Sequence, residues 1–505
     1  MINLWKCCSA VTALLSLAVA PVAADLVEQG PRNSKPSGLL AGVARVDISP
    51  PVGIPHMNWG SATHIESEGI DPLGMKATAL VLSDGKQKFA MVDLDAGGVQ
   101  GMDSVIKRAS ARTGIPIEHI RIGASHTHAG PALSSGKGPA GTDLTSYQPM
   151  MERHRAVVAD KIVGAIAMAA AKLQPVHMYG GRGLGSININ RRFRGANGQP
   201  PAVGRNEDGF VDRELVVFRI DDAQGNPYAV LINYQTHGTV LAYENRYISP
   251  DWPGMTRKAV EDAVPGATAL FFQGAAGNQG PIEGFTGDLE VAHRLGATLG
   301  YQALGVAFGI ETVDRRPKFE GFVESTAFQA KQHWRVNGPR DQTLRFATKI
   351  IEVPRREYEP AEVSAMEKLV ADAQKRVDSF KKGDESREAY QAGARLRRVS
   401  NLLNRWKQPP SKDPVRVQLQ VLRIGELAIV SMPGEPFAEI GAAVKKASPF
   451  AFTMFCGYST GTGGGYMPTA EEFQHRGYEV EGTPYGKGAA EAVIRAAADL
   501  LKSVR

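Results

Sequence analysis

The chain has 505 residues, 43% hydrophobic and 22% charged, with a formal net charge of +6. That composition excludes a disordered or collagen-like chain, and the length supports a core that needs no disulfide staple. No segment interleaves basic and aromatic residues in the manner of a single-strand nucleic-acid binder, so nucleic acid is not an expected partner.

Residues 1–24 read as a secretory leader. Lys6 supplies the positive start, Ala10 to Ala20 is an apolar run too short to span a bilayer, and Val22-Ala23-Ala24 places cleavage before Asp25. A secreted or periplasmic protein is expected. Cys7 and Cys8 leave with the leader, so Cys456 has no partner for an internal disulfide. Residues 25–38 are a polar linker, and 39–505 read as one domain.

That domain opens with a strand over Leu39 to Ile48, where Ala44, Val46 and Ile48 alternate. Ala77 to Ser83 and Lys88 to Asp95 form a strand pair turned by Asp84-Gly85. Asp93 and Asp95 close the second strand before Gly97-Gly98, either near a site or as caps of the helix Met102 to Thr113. Gln148 to Leu173 is a long Ala-rich helix. Leu215 to Ile220 and Tyr228 to Tyr234 make another hairpin, followed by a helix to Val264 and a short buried strand, Ala267 to Phe272. Leu289 to Gly309 is helical, and Phe319 to Val353 is extended. Residues 360–407 change character: two charged amphipathic helices broken at Lys382-Gly383-Asp384 read as an inserted helical hairpin, whose positive charge fits an anionic membrane surface or a solvated face. Val415 to Ile424, Leu427 to Met432 and Phe450 to Tyr458 are strands, and Ala489 to Leu501 is the last helix. The recurring order of strand, Gly-bordered polar turn and helix implies an α/β fold: mixed β-sheets flanked by helices, with the site on loops beyond the strand ends.

Chemistry-bearing residues gather at those ends. Ser125-His126-Thr127-His128-Ala129-Gly130-Pro131 places two imidazoles two residues apart, which puts both on one face if the strand continues. Such a pair suits a metal, and it suits equally two hydrogen-bonded structural histidines. Thr236-His237-Gly238 is a second strand-end histidine. Glu435, in Pro433-Gly434-Glu435-Pro436, precedes a helix from Phe437 and serves as a ligand or as a complement to the helix dipole. Arg191, after Asn190, reads as an anion or carbonyl clamp or as a surface residue. Tyr466 follows a glycine run that would let its phenol reach a site, and Tyr478 lies beyond the Glu471-Glu472 pair.

Taken in order, these motifs resemble the neutral/alkaline non-lysosomal ceramidase family. The resemblance implies a secreted zinc amidohydrolase that cleaves the N-acyl bond of ceramide to sphingosine and fatty acid by a metal-activated water. By position it implies zinc ligands at His126, His237, Glu435 and Tyr466, a catalytic histidine at His128, and substrate- or oxyanion-holding roles for Arg191 and Tyr478. Two histidines and a glutamate leave room at a zinc for water, consistent with that chemistry.

The sequence departs from the family at two places. Where the family carries a serine in a Gly-Asp-x-Ser-Pro turn, Gly277-Asn278-Gln279-Gly280-Pro281 has Gly280, so a serine-dependent route is not expected there. No C-terminal immunoglobulin-like domain is expected either. The alternatives are a metal-dependent hydrolase of another amide, ester or lactone, and a catalytically altered metal-containing binding protein.

Overall fold

The computed structural model describes residues 38–56, 64–131, 144–195, 201–384, 386–408, 411 and 413–505. The leader and nearly all of the linker lie outside the described residues.

The central element is an eight-stranded sheet. Its strand order is Thr268–Gln273, Pro227–Tyr234, Glu214–Asp222, Gln174–Leu184, Leu40–Asp47, Lys76–Ser83, Lys88–Leu94 and Ile120–Ala124. The interior pairs are antiparallel, whereas the pair at each edge is parallel. Parallel neighbours need a crossover, and helices Asp103–Thr113 and Asp251–Ala263 provide one at each edge. A second sheet of four strands, ordered Leu344–Val353, Val415–Ile424, Leu427–Ser431 and Phe452–Cys456, lies against the first.

The alternation of side chains along the strands makes four layers. In the strand Lys88–Leu94, Phe89 and Met91 face the second sheet, while Ala90, Val92 and Leu94 face helices Asp103–Thr113 and Gln148–Ala171. In the strand Leu427–Ser431, Leu427 and Ile429 face the first sheet, while Ala428 and Val430 face helices Ala438–Ala447 and Ala489–Ser503. The order is therefore helices, sheet, sheet, helices, with apolar side chains filling each gap. Runs such as Ala79-Leu80-Val81-Leu82 are buried on both faces, which explains their unbroken hydrophobicity.

One topology occurs three times: an antiparallel strand pair, a helix, and a strand parallel to the second of the pair. It spans Lys76 to Ala124, Glu214 to Gln273 and Val415 to Cys456. The three units show no sequence repeat, yet each sends a strand end toward the same place. His126 follows the last strand of the first unit, His237 the second strand of the second, and Glu435 the second strand of the third.

The extended reading of 319–353 corresponds to a hairpin, Asp314–Val323 with Gln329–Gly338, followed by the strand Leu344–Val353. Helices Pro360–Asp378 and Arg387–Trp406 pack on each other through Met366, Val399, Leu402 and Trp406. The first begins with a capping box between Glu359 and Glu362, and Ser386 caps the second.

Candidate metal centre

His126 and His128 meet by a different route from a shared strand face. The strand stops at Ala124, and His126 takes a left-handed backbone conformation with φ 63°. Its amide donates to the Ala96 carbonyl at 3.0 Å, and its Nδ1 lies 2.6 Å from the Gly97 carbonyl. A carbonyl only accepts, so Nδ1 carries the proton and Nε2 presents a lone pair. The next residues lie against the second histidine loop: Thr127 bridges Gly238, and the His128 amide donates to the Gly238 carbonyl at 3.0 Å. A Cβ on Gly238 would sit 2.7 Å from the His126 carbonyl oxygen, which explains the glycine.

His237 repeats the pattern. Its Nδ1 is 2.7 Å from the Ala276 carbonyl, fixing the tautomer, and its buried Nε2 has no hydrogen-bond partner. Ligand atoms of His126, His128 and His237 lie within 4.8 Å of one another. Nε2 of His128 is 3.2 Å from Nε2 of His126. Burial, reinforced by the Arg191 charge, pushes the His237 imidazole down to about 3. Burial and the neighbouring His126 and His237 push His128 well below the usual range. These are neutral imidazoles, the form that binds metals.

Glu435 completes the cluster. The short parallel pair Glu435–Pro436 with Tyr466–Met467 sets Glu435 opposite Tyr466. Glu435 Oε2 lies 3.4 Å from Nε2 of His126 and 3.2 Å from Nε2 of His237, and it too is buried without a hydrogen-bond partner. Lone pairs of a carboxylate and two imidazoles thus face each other in a buried space. A divalent cation between them would satisfy all three, and the carbonyl-bound Nδ1 atoms would be the outer contacts that metal-ligating histidines use. The donor set fits zinc.

Arg191, for which a surface position is one of the two readings, is buried. Its Nη2 donates to the Tyr466 hydroxyl at 3.1 Å and its Nε to Glu479 at 3.1 Å. Arg192 joins Glu479 and Glu472 at 2.8 Å each, so Glu472 serves as an ion-pair partner. The Tyr478 ring lies 5.8 Å from that of Tyr466, centroid to centroid. Arg398, from the helix Arg387–Trp406, stacks 3.8 Å over Tyr478 and donates to its carbonyl. Gly280 lies beside Arg191, where an added Cβ would be 3.1 Å from Arg191 Cβ.

Asp93 and Asp95 neither reach the cluster nor cap the helix; both grip buried Arg257. Glu479, Arg192 and Tyr458 escaped the sequence reading. An isolated acid or tyrosine gives no period or spacing signal, and the non-glycine φ of 50° at Tyr458 is visible only in the folded backbone.

The chain is a mixed α/β protein with a buried histidine–carboxylate cluster at the ends of its strands. Residues 39–287 match the profile of neutral/alkaline non-lysosomal ceramidase, N-terminal. Among similar proteins, the neutral ceramidase of Pseudomonas aeruginosa is 25% identical over 409 residues, covering 77% of this chain and 59% of that protein. Neutral ceramidase A of Dictyostelium discoideum is 31% identical over 155 residues, 30% of this chain and 21% of that protein. The chain thus spans at most about three fifths of these relatives' lengths. Two solved structures share the fold. One, described as ceramidase complexed with C2, has a TM-score of 0.62 at 19% identity, covering 92% of this chain and 75% of the other. The neutral ceramidase of Pseudomonas aeruginosa has a TM-score of 0.61 at 20% identity, covering 92% and 74%. By these likenesses the chain is similar to the neutral/alkaline non-lysosomal ceramidase family, the profile match lying over residues 39–287.

Proposed function

We propose that the chain is an exported, zinc-dependent amidohydrolase that cleaves an N-acyl amide, with ceramide as the substrate class its family suggests. The observation that carries this reading is the convergence of Nε2 of His126, Nε2 of His237 and Oε2 of Glu435, beside the Arg191–Tyr466 contact. His126, His237, Glu435 and Tyr466 would hold the zinc. When bound, zinc supplies a Lewis acid and lowers the pKa of a water to about 7. Arg191 keeps Tyr466 in place and, with Tyr478, holds the acyl oxygen as it gains charge. His128, neutral and beside the cluster, would accept a proton at its Nε2 from the attacking water and pass it to the leaving nitrogen. Gly280 offers no hydroxyl, so a serine nucleophile has no part in this scheme. The leader at 1–24 supports export, and among the described residues no helix is long and apolar enough to cross a membrane.

A second reading, hydrolysis of a smaller or more polar amide or ester, is favoured by one observation. The cleft beside His126 and Glu435 encloses about 310 Å³, and its described walls are mostly glycine and polar residues, with Val99 and Pro433 among the few apolar ones. An acyl-chain pocket is ordinarily apolar. Hydrolysis of fluorescent N-acyl sphingosines of graded chain length, with chelator and with added zinc, tests both. Chelator-sensitive, zinc-restored cleavage of long chains supports ceramide. Cleavage confined to short acyl groups supports the second reading. Failure to bind zinc refutes both.

A further inference from the structure

Tyr458 is the feature of this centre that the scheme above leaves unused. Its side chain is buried at 5% exposure, and its hydroxyl makes no hydrogen bond among the described residues. Its ring lies 4.4 Å from that of His126 and 5.9 Å from that of His237, centroid to centroid. It lines the same cleft as His126 and Glu435. A buried polar atom without a partner is uncommon in a folded protein and calls for an explanation.

The backbone shows that this placement is imposed. Tyr458 has φ 50°, a conformation that bulky L residues avoid. It is held there from both sides. Its amide donates to the Gly434 carbonyl at 2.9 Å, next to Glu435, and its carbonyl accepts from the Ala124 amide at 3.0 Å, two residues before His126. The strained residue therefore ties together the two strand ends that bear His126 and Glu435. Strain that the surrounding structure over-determines in this way is characteristic of functional sites. The neighbouring phenol, Tyr466, is already engaged by Arg191, and the Gly280 turn brings no hydroxyl.

We infer that the Tyr458 hydroxyl is a substrate-facing hydrogen-bond donor of this centre, aimed at the acyl oxygen of the bound amide or ester. The inference rests on the hydrolase reading and adds a donor from a third chain segment to Arg191 and Tyr478. A preorganised donor of this kind strengthens its bond as the acyl oxygen gains charge, so its removal lowers turnover more than substrate binding.

The test compares wild type with Tyr458→Phe, which deletes one oxygen and keeps the ring against His126. Three quantities are read: zinc per chain by mass spectrometry, kcat and KM on a fluorescent N-acyl amide, and calorimetric affinity for a medium-chain alkylphosphonate as a mimic of the charged acyl oxygen. The expected result is unchanged zinc, a melting temperature equal to or above wild type because an unpartnered buried hydroxyl is gone, a loss in kcat on the order of 100-fold with KM within about threefold, and phosphonate affinity reduced roughly tenfold. Loss of zinc in Y458F would assign Tyr458 to the metal and overturn the inference. Values of kcat and phosphonate affinity within about twofold of wild type would overturn it as well, as would a wild type that binds no phosphonate. A wild type that cleaves no N-acyl sphingosine, with phosphonate binding still lost in Y458F, would refute the ceramide reading and leave Tyr458 as the donor.

Discussion

Arg257→Met would leave two buried carboxylates facing each other. Arg257 Nη1 lies 3.2 and 3.1 Å from the oxygens of Asp93, and Nη2 lies 2.7 and 2.6 Å from those of Asp95. All three residues are buried. Each carboxylate keeps one backbone donor, Phe271 for Asp93 and Lys76 for Asp95, so the variant retains some of the stabilisation. Breaking a buried pair by removing one partner costs about 3–5 kcal/mol, most of it from the uncompensated charge left behind. The triple variant R257M/D93N/D95N removes that charge and should regain most of the loss. The pH dependence follows from the same cause. Burial already raises Asp93 to about 6 against the opposing pull of Arg257. Without the guanidinium the Asp93 carboxyl should rise further above its unfolded value, so the folded form binds the extra proton. R257M should therefore be least stable at high pH and recover toward pH 5, relative to wild type. The assay is urea denaturation at pH 5, 6.5 and 8. Zinc content should fall in step, because Ala96 and Gly97, which follow Asp95, hold His126. A loss under about 1 kcal/mol, or a triple variant no better than the single, would refute the reasoning.

Four shorter predictions accompany it. His237→Ala should lose bound zinc by mass spectrometry, and chelation of wild type should lower its melting temperature, since zinc at about 1,000 times its Kd contributes about 4 kcal/mol. Arg398→Ala should cut kcat roughly tenfold with zinc unchanged, because it releases the Tyr478 ring and carbonyl; an unchanged kcat would show that the helical hairpin does not position Tyr478. Asp251 is buried, and burial followed by the Asp71 charge raises its carboxyl to about 7. Its folded value exceeds the unfolded one, so stability should fall between about pH 4 and 7, by on the order of 4 kcal/mol in all. Asp251→Asn, which tolerates the observed φ of 56°, should flatten that slope in thermal melts. Gly280→Ser should not raise activity, since its Cβ would sit 3.1 Å from Arg191 Cβ and displace the clamp; a several-fold gain in kcat would contradict this.

The local elements were legible in the sequence, as were the residue types suited to chemistry at the strand ends. Period and turn chemistry act over a few residues, so Asp84-Gly85 announces its hairpin, Ala489 to Leu501 its helix, and the hairpin at 360–407 its break at Lys382-Gly383-Asp384. His126, His237 and Glu435 stood out because each ends an apolar run beside glycine. What the sequence could not decide was how those ends meet. That depended on two sheets packing face to face and on three strand–helix–strand units converging, contacts made between residues more than a hundred positions apart. The left-handed backbones of His126 and Tyr458, the capture of Asp93 and Asp95 by Arg257, and the burial of Arg191 against Glu479 have the same origin. Neither strain nor a buried ion pair exists until distant segments enclose it, so neither leaves a local signal in the chain.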